Sequence, residues 1–382
     1  MRSAVTYLKS WFGRFEAVGY RRPDPWLWLP AAALLLLGLL MVLNTTYFLG
    51  LEKTGDAFHF FKQHLARIIA GAIVMILLSQ FSLTGLRRLV VPLTVISLVM
   101  LLMVYVPHLG QVRGGARRWL KLGPVVLEPS EFVKLALVFL LADFFSRRAD
   151  RMKSFQHGAL PAFMMVGPIA LLLLKQPDFG STVMISVILF VMMYAAGAEL
   201  KHLGIAGSGA LCLLVFQAFA KSYRMKRMTT FLDPWIVARG AGFQLVQSFI
   251  ALGAGGKWGV GLGAGRQKMF YLPQSHTDFI FAVVGEEFGI AGAVAVMLMF
   301  CVILFRGMRI AHEEPDGFAS LLAVGLTSLL SLQALINMSV VIGMIPTKGL
   351  PLPFLSYGGT AIVISMAALG ALLALGRRPA VR

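Results

Sequence analysis

Charge is scarce in this chain, and acid is scarcer than base. Only 14% of its 382 residues are charged, with 17 Asp or Glu against 35 Lys or Arg. Soluble domains carry nearer a quarter charged residues, so a water-soluble fold is excluded, and a 58% hydrophobic content points to a membrane protein. Cysteine is almost missing. Cys212 and Cys301 both fall inside apolar runs and read as small apolar core side chains, which rules out a disulfide framework or a metal knuckle. The seven histidines are scattered and form no HExxH pair, so no metal motif is recognisable. The first apolar run begins past residue 25, is too long for a signal peptide and has no evident small-residue cleavage site, so it is expected to stay as a membrane span.

What the chain has in quantity is long hydrophobic runs. A membrane-crossing helix needs about 20 apolar residues. The sequence predicts ten such spans, at 27–48, 62–80, 88–106, 129–145, 159–174, 179–196, 201–219, 279–305, 318–345 and 357–376. The expected fold is all-α and polytopic, with about ten transmembrane helices in one domain over 27–376. A large outer loop at about 220–278 interrupts it, and a short tail over 377–382 follows it. Residues 1–26 carry Arg2, Lys9, Arg14, Arg21 and Arg22, so both termini are expected on the cytoplasmic side. Val5, Leu8, Phe12 and Phe15 recur at helical spacing there, as in a helix lying on the inner surface; a disordered tail is the alternative.

With that orientation, Lys and Arg divide almost evenly between the two faces, where a clear inner excess is the rule. The outer surplus is concentrated in two loops. One holds Arg113, Arg117, Arg118 and Lys121; the other holds Lys221, Arg224, Lys226, Arg227, Arg239, Lys257, Arg266 and Lys268. Charge placed against the topological preference suggests work on an outer anion such as a phosphate-bearing ligand, or contact with anionic headgroups. It is assigned to the membrane and its ligands, not to a nucleic acid. The carboxylates that face or border the outside are Glu52, Asp56, Glu128, Glu131, Asp178, Asp233 and Asp278, and an outer general base belongs among them.

The stretch YLPQSHTDFIFAVVGEEFGIAG, residues 271–292, is the most informative. Asp278 lies where the long outer loop meets the eighth span. Ser275–Asp278 has capping-box spacing, which is its structural explanation. Its functional explanation is a carboxylate at the membrane rim, partly desolvated towards a base's working range. Glu286 and Glu287 fall within the predicted span, about 12–13 Å further along at 1.5 Å per residue. A charge at a helix centre costs roughly 2.5–3.5 kcal/mol, so partners are expected, and Lys134 and Arg67 are the cations within spans. The glycine-dense ALGAGGKWGVGLGAGRQK (251–268) is neither a Rossmann nor a Walker loop. It reads either as a close-approach loop whose amides meet phosphate or as plain flexibility. PTKGLPLPF (346–354) is irregular chain between two spans, tolerated only where protein or water covers it, so it is expected to line a cavity with Lys348 as its cation.

Taken together, GARRWLKLG, PSEFVKLA, QPDFGST, FLDPW, HTDFIFAVVGEEFGIAG and QALINMSVVIGMIPTKGLPLPFLSYGGT resemble the SEDS family of bacterial shape, elongation, division and sporulation proteins. They cover about residues 114–360 in the family's order. Pro346-Thr347-Lys348-Gly349 is similar to the division branch, whereas the elongation branch usually has valines at the two central positions. Two positions depart from the family: Glu128 stands where glutamine is usual, and Thr360 where the division branch usually has serine.

The resemblance implies a peptidoglycan glycosyltransferase of the cytoplasmic membrane acting on lipid II, a class B penicillin-binding protein as partner, and other division proteins around it. It also implies that Asp278, the aspartate of HTDFIF, is the catalytic residue. Arg117, Arg118, Lys348 and Arg227 are the expected cations at the diphosphate, and Glu131 with Lys134, one turn apart, is expected to orient the site or pair internally. A divalent cation is compatible with a diphosphate, but no motif assigns one. An elongation polymerase, a lipid II flippase and a non-enzymatic division scaffold are the rival readings.

Overall fold

A computed structural model describes residues 23–113, 116–123, 125–219, 230–240, 242–268, 271–347 and 349–377. The proposed inner-surface helix, Arg227, Lys348 and most of the tail lie outside these residues. The helices are α1 (Pro25–Thr54), α2 (His59–Ser79), α3 (Leu83–Arg88), α4 (Val90–Met103), α5 (Pro129–Ser146), α6 (Leu160–Lys175), α7 (Phe179–Ala195), α8 (Leu200–Phe219), α9 (Phe243–Gly255), α10 (Ile280–Glu313), α11 (Gly317–Val341) and α12 (Gly359–Gly376). Every expected span coincides with one of them. Among the described residues, seven segments are long and apolar enough to cross a membrane: α1, α2, Leu83–Met103, Phe155–Lys175, α10, α11 and α12. Of the others, α5 carries Glu131, Lys134 and Asp143, and α7 and α9 are shorter. The chain is an integral membrane protein.

Helices α11 and α12 are buried over most of their length, while α2 is buried over little of its own. Ile69, Ile73, Ile76 and Leu77 of α2 and Val91, Val95, Val99 and Leu102 of α4 point outward, as lipid-facing residues do. In lipid, helices associate through close packing, and small residues permit it. Where α2 crosses α12, a side chain at Gly71 would meet the Met366 sulfur, and one at Gly370 would meet the Met75 backbone. Cys301, expected in the core, lies exposed on α10 instead. Met297 and Leu298 on the same helix are exposed too, while Phe300 and Ile303 are buried, and hydropathy alone cannot tell the two faces apart.

Two parts of the outer side were read from sequence as loop and are ordered structure. The strands β1 (Gly110–Arg113), β2 (Ala116–Leu122) and β3 (Val125–Leu127) pair as an antiparallel meander, with Gly110 opposite Leu120 and Leu120 opposite Leu127. Leu120 is its buried anchor, packed with Met100 and Val104. The long outer loop contains α9, whose Gly255 lies against the Gly285 carbonyl of α10.

A simple ruler sets the membrane level of the glutamates. Arg306 near the end of α10 donates to Asp24 at the start of α1 (Nε–Oδ2 2.6 Å), which fixes one common level for both helices. About 20 residues cross the hydrocarbon, which brings α1 to Asn44 and α10 back to Glu286–Glu287. Asn44 and Glu287 are bonded to each other at 2.6 and 2.7 Å, so the two counts meet. The same count along α11 from Gly317 reaches Asn337. Between Glu287 and the membrane-crossing part of α10, Gly289 breaks the helix (φ 68°, ψ −165°). The segment from Ile280 to Phe288 is therefore a separate short helix at one end of the bundle. The two glutamates stand just before the Gly289 break, level with Asn44 of α1.

Candidate active site

Helix α10 begins after Phe279, which contributes no side-chain cap, so the capping-box explanation of Asp278 is not realised. Asp278 is instead held through its main chain. The Asn337 side-chain amide donates to the Asp278 carbonyl (2.8 Å) and to the Leu350 carbonyl (2.7 Å), tying both to α11. Ser356 Oγ donates to the Thr277 carbonyl (2.6 Å) and accepts from Leu352 N–H (2.8 Å). The Tyr357 amide donates to the His276 carbonyl (2.8 Å). Residues 276–278 and 350–357 are thus stitched side by side, and the Asp278 side chain is partly exposed between them. Gly349 allows this approach: a Cβ there would stand 2.9 Å from Asp278 Oδ2.

One turn along α11 from Asn337, Gln333 makes the second connection. It accepts from Lys134 Nζ (2.8 Å) and donates to the Pro351 carbonyl (3.0 Å). Lys134 also donates to Glu131 Oε1 (2.8 Å), so this fully buried ion pair is joined through one glutamine to the 350–357 segment. The expected partnership of Lys134 with the glutamates of α10 is therefore wrong, and so is that of Arg67, which stacks on the Tyr357 ring (4.9 Å). Sequence reasoning missed Asn337 and Gln333. Two amides four residues apart on an otherwise apolar helix were the available signal.

The meander brings in the arginines. Arg117 and Arg118 are consecutive in β2 and so leave opposite faces. Arg118 approaches Asp178 Oδ1 (3.9 Å) and lies over Trp119 (4.6 Å). Asp178, one of the carboxylates expected to border the outside, caps α7 by accepting from Ser181 N–H (3.1 Å) and is buried, with its other oxygen unpartnered among the described residues. Next to it Glu128 is raised to about 8, chiefly by burial and then by the Glu131 and Asp178 carboxylates, with Arg118 and Lys134 pulling the other way. Its amide donates to Thr360 Oγ1 (2.9 Å), so the two positions that depart from the family touch each other. Burial pushes His276 down to about 4, with Lys53 adding to it, so its ring is neutral at neutral pH. Among the described residues, no group of three or more His, Cys, Asp or Glu side chains is arranged to hold a metal ion.

The glycine-dense loop does present amides to anions, but the anions are the protein's own. Glu286 accepts from the amides of Arg266 (2.8 Å) and Gln267 (3.3 Å), and Glu287 from Gly263 N–H (3.2 Å), Lys268 Nζ (2.9 Å) and Asn44. The loop also pairs with the backbone of α10 on both sides of the break: Val260 and Gly261 donate to the carbonyls of Glu286 and Glu287, and Ile290 donates to Gly256. Gly259 has φ 84° and sits where a side chain would strike the Glu287 carbonyl.

The profile of the FtsW/RodA/SpoVE family, described as a cell cycle protein, matches residues 25–379. A probable peptidoglycan glycosyltransferase FtsW of Geobacter sp. strain M18 is 39% identical over 348 residues, covering 91% of this chain and 95% of that protein. The stage V sporulation protein E of Bacillus subtilis strain 168 is 41% identical over 359 residues, covering 93% and 97%. Among solved structures, a chain of a peptidoglycan synthase complex that coordinates polymerization and crosslinking superposes with a TM-score of 0.75 at 31% identity, covering 93% of this chain and 98% of that one. The rod shape determining protein RodA of Thermus thermophilus does so with a TM-score of 0.68 at 27% identity, covering 93% and 97%. With almost its whole length matched by sequence and by structure, this chain belongs to the FtsW/RodA/SpoVE family of cell cycle proteins.

Proposed function

We propose that this protein is a peptidoglycan glycosyltransferase that polymerises lipid II at the outer face of the cytoplasmic membrane, in septal wall synthesis. The relatives named as glycosyltransferases support the reaction class, and those named FtsW support the division duty. The observation that carries the reading is the placing of Asp278: a partly exposed carboxylate at the bundle rim, its main chain fixed by Asn337 and the 350–357 segment. A substrate with an apolar tail, a diphosphate and a sugar head presents its reactive bond at that level.

Asp278 acts as general base. It takes the proton from the 4-hydroxyl of the acceptor's N-acetylglucosamine while that oxygen bonds to the anomeric carbon of the donor's N-acetylmuramic acid. The bond from that carbon to the phosphate oxygen breaks, undecaprenyl diphosphate leaves with the electron pair, and inversion gives a β-1,4 link. Positive charge near the leaving diphosphate stabilises it. Arg117 and Arg118 of β2 are first in that role, followed by Lys348 and then Arg227. Glu131 and Lys134 hold the far side of the site through Gln333. A class B penicillin-binding protein and other division proteins are the expected partners, in keeping with the synthase complex that this fold matches.

The test is glycan synthesis from purified lipid II by wild type and Asp278→Asn, with and without a transpeptidase partner. Polymer from wild type alone at equal folded protein is the expected result. Polymer from both would remove Asp278 from the chemistry, and polymer from neither would overturn the enzyme reading.

A further inference from the structure

The glycine-dense loop carries an apolar patch that the proposed reaction does not use. Trp258 is 82% exposed and Leu262 58%, with Val260 exposed between them. Lys257 and Arg266 are exposed on either side and flank the patch with positive charge. A patch of this kind needs a cover, and the pairing of the loop with α10 shows what lies beside it.

The Gly256 and Lys257 carbonyls accept from Ile290 N–H (2.9 Å) and Ala291 N–H (3.2 Å), where the membrane-crossing part of α10 begins. The approach is so close that a side chain at Gly289 would strike Gly259 N and the Lys257 main chain. From this point Ile290, Val294, Met297 and Leu298 recur at helical spacing, and all four are exposed. On a membrane-crossing helix such a stripe faces lipid. The loop residues therefore continue a lipid-facing surface past the end of the helix. Trp is favoured at that boundary, because its ring is apolar and its N–H is polar.

The main chain of the loop suits the same surroundings. Irregular chain is tolerated at membrane depth only where its polar groups find partners within the protein. Gly259, Val260, Gly261 and Ala264 donate to main-chain carbonyls, and Gly263, Arg266 and Gln267 donate to the carboxylates of Glu286 and Glu287. On a wetted surface, water would supply those partners.

We propose that residues 257–266 form a lipid anchor. Trp258 and Leu262 seat at the acyl-chain boundary of the leaflet at this end of the bundle, and Lys257 and Arg266 hold anionic phospholipid headgroups. Apolar burial and headgroup attraction together give such a segment its hold. The two glutamates then have a matching purpose: they satisfy a polar main chain that lies against lipid. No side chain of the anchor takes part in the proposed reaction, so either can fail without the other.

The experiment uses the full chain in phosphatidylcholine nanodiscs, with or without bromine near the headgroup end of the acyl chains. The chain has six tryptophans, so the emission of Trp258 is taken as the difference between each protein and its Trp258→Phe form, an exposed change that keeps an apolar ring. Brominated lipid is expected to quench that emission several-fold, and iodide in the water to quench it little. Emission open to iodide and untouched by bromine would place the loop in water and overturn the anchor. Protection from both would mean that protein covers the patch, a second copy of the chain included, and would also overturn it. A small fraction of brominated phosphatidylglycerol is expected to quench more than the same fraction of brominated phosphatidylcholine. That excess is expected to vanish in the Lys257→Gln, Arg266→Gln double variant. Equal quenching by the two lipids in wild type would overturn the headgroup contact.

Discussion

Asp278 and the pair Glu286–Glu287 lie at the two ends of one short helix, and the protein treats them oppositely. At Glu287 the side chain is saturated, with Asn44, Lys268 and an amide of the glycine loop all donating to the carboxylate. At Asp278 it is the main chain that is tied down, and the side chain is partly exposed between Gly349 and the loop strands. A carboxylate whose oxygens are all claimed by its own fold is a fastening. One whose main chain is fixed and whose side chain is partly exposed is placed for a substrate.

Substitutions at either end break the comparison in different currencies. Asp278→Asn is expected to lower polymerisation by about 10²–10⁴-fold, the usual worth of a general base, with no fall in thermal midpoint. Glu287→Ala leaves Lys268 buried without its partner, and such losses cost about 3–5 kcal/mol. Its midpoint is expected to fall steeply, with activity per folded molecule close to wild type. Asn337→Leu sits between these two. It removes two hydrogen bonds of about 1 kcal/mol each, and steady-state kinetics are expected to show kcat falling more than KM rises. Smallest is the acid response of His276. Its folded value is about 4 against an ordinary 6.5, so loosened chains bind the proton more readily between those limits. Stability is complete above 6.5 and is lost as pH falls towards 4. Thermal midpoints at pH 7 and 5 are expected to separate in wild type and to converge in His276→Phe.

The helices were legible because hydrophobic runs of membrane length are unambiguous, and their ends were not. Helix α1 starts at Pro25 because Asp24 caps it, accepting from Trp26 N–H, and it runs on to Thr54, past the apolar stretch at 48. The meander at 110–127 was hidden because its strands are short, bulged between Gln111 and Val112, and interrupted by glycine. The glycine-dense loop left two readings open because what it binds lies some twenty residues further on, at Glu286 and Glu287. Within the site, Asp278 was legible through its motif. Lys134 was visible as a buried cation, but its acceptor Gln333 is about 200 residues away, and spacing cannot reveal a partner at that distance.

The single amide of Asn337 has a mechanical corollary. Because it grips Asp278 and Leu350 at once, any small rotation or slide of α11 carries the aspartate and the 349–351 chain as one jaw. Strand β2 with its arginines is fastened elsewhere, by Leu120 against Met100 and Val104 and by Arg118 near Asp178. A shift of α11 would therefore move the aspartate and leave the fastenings of the arginines unaltered.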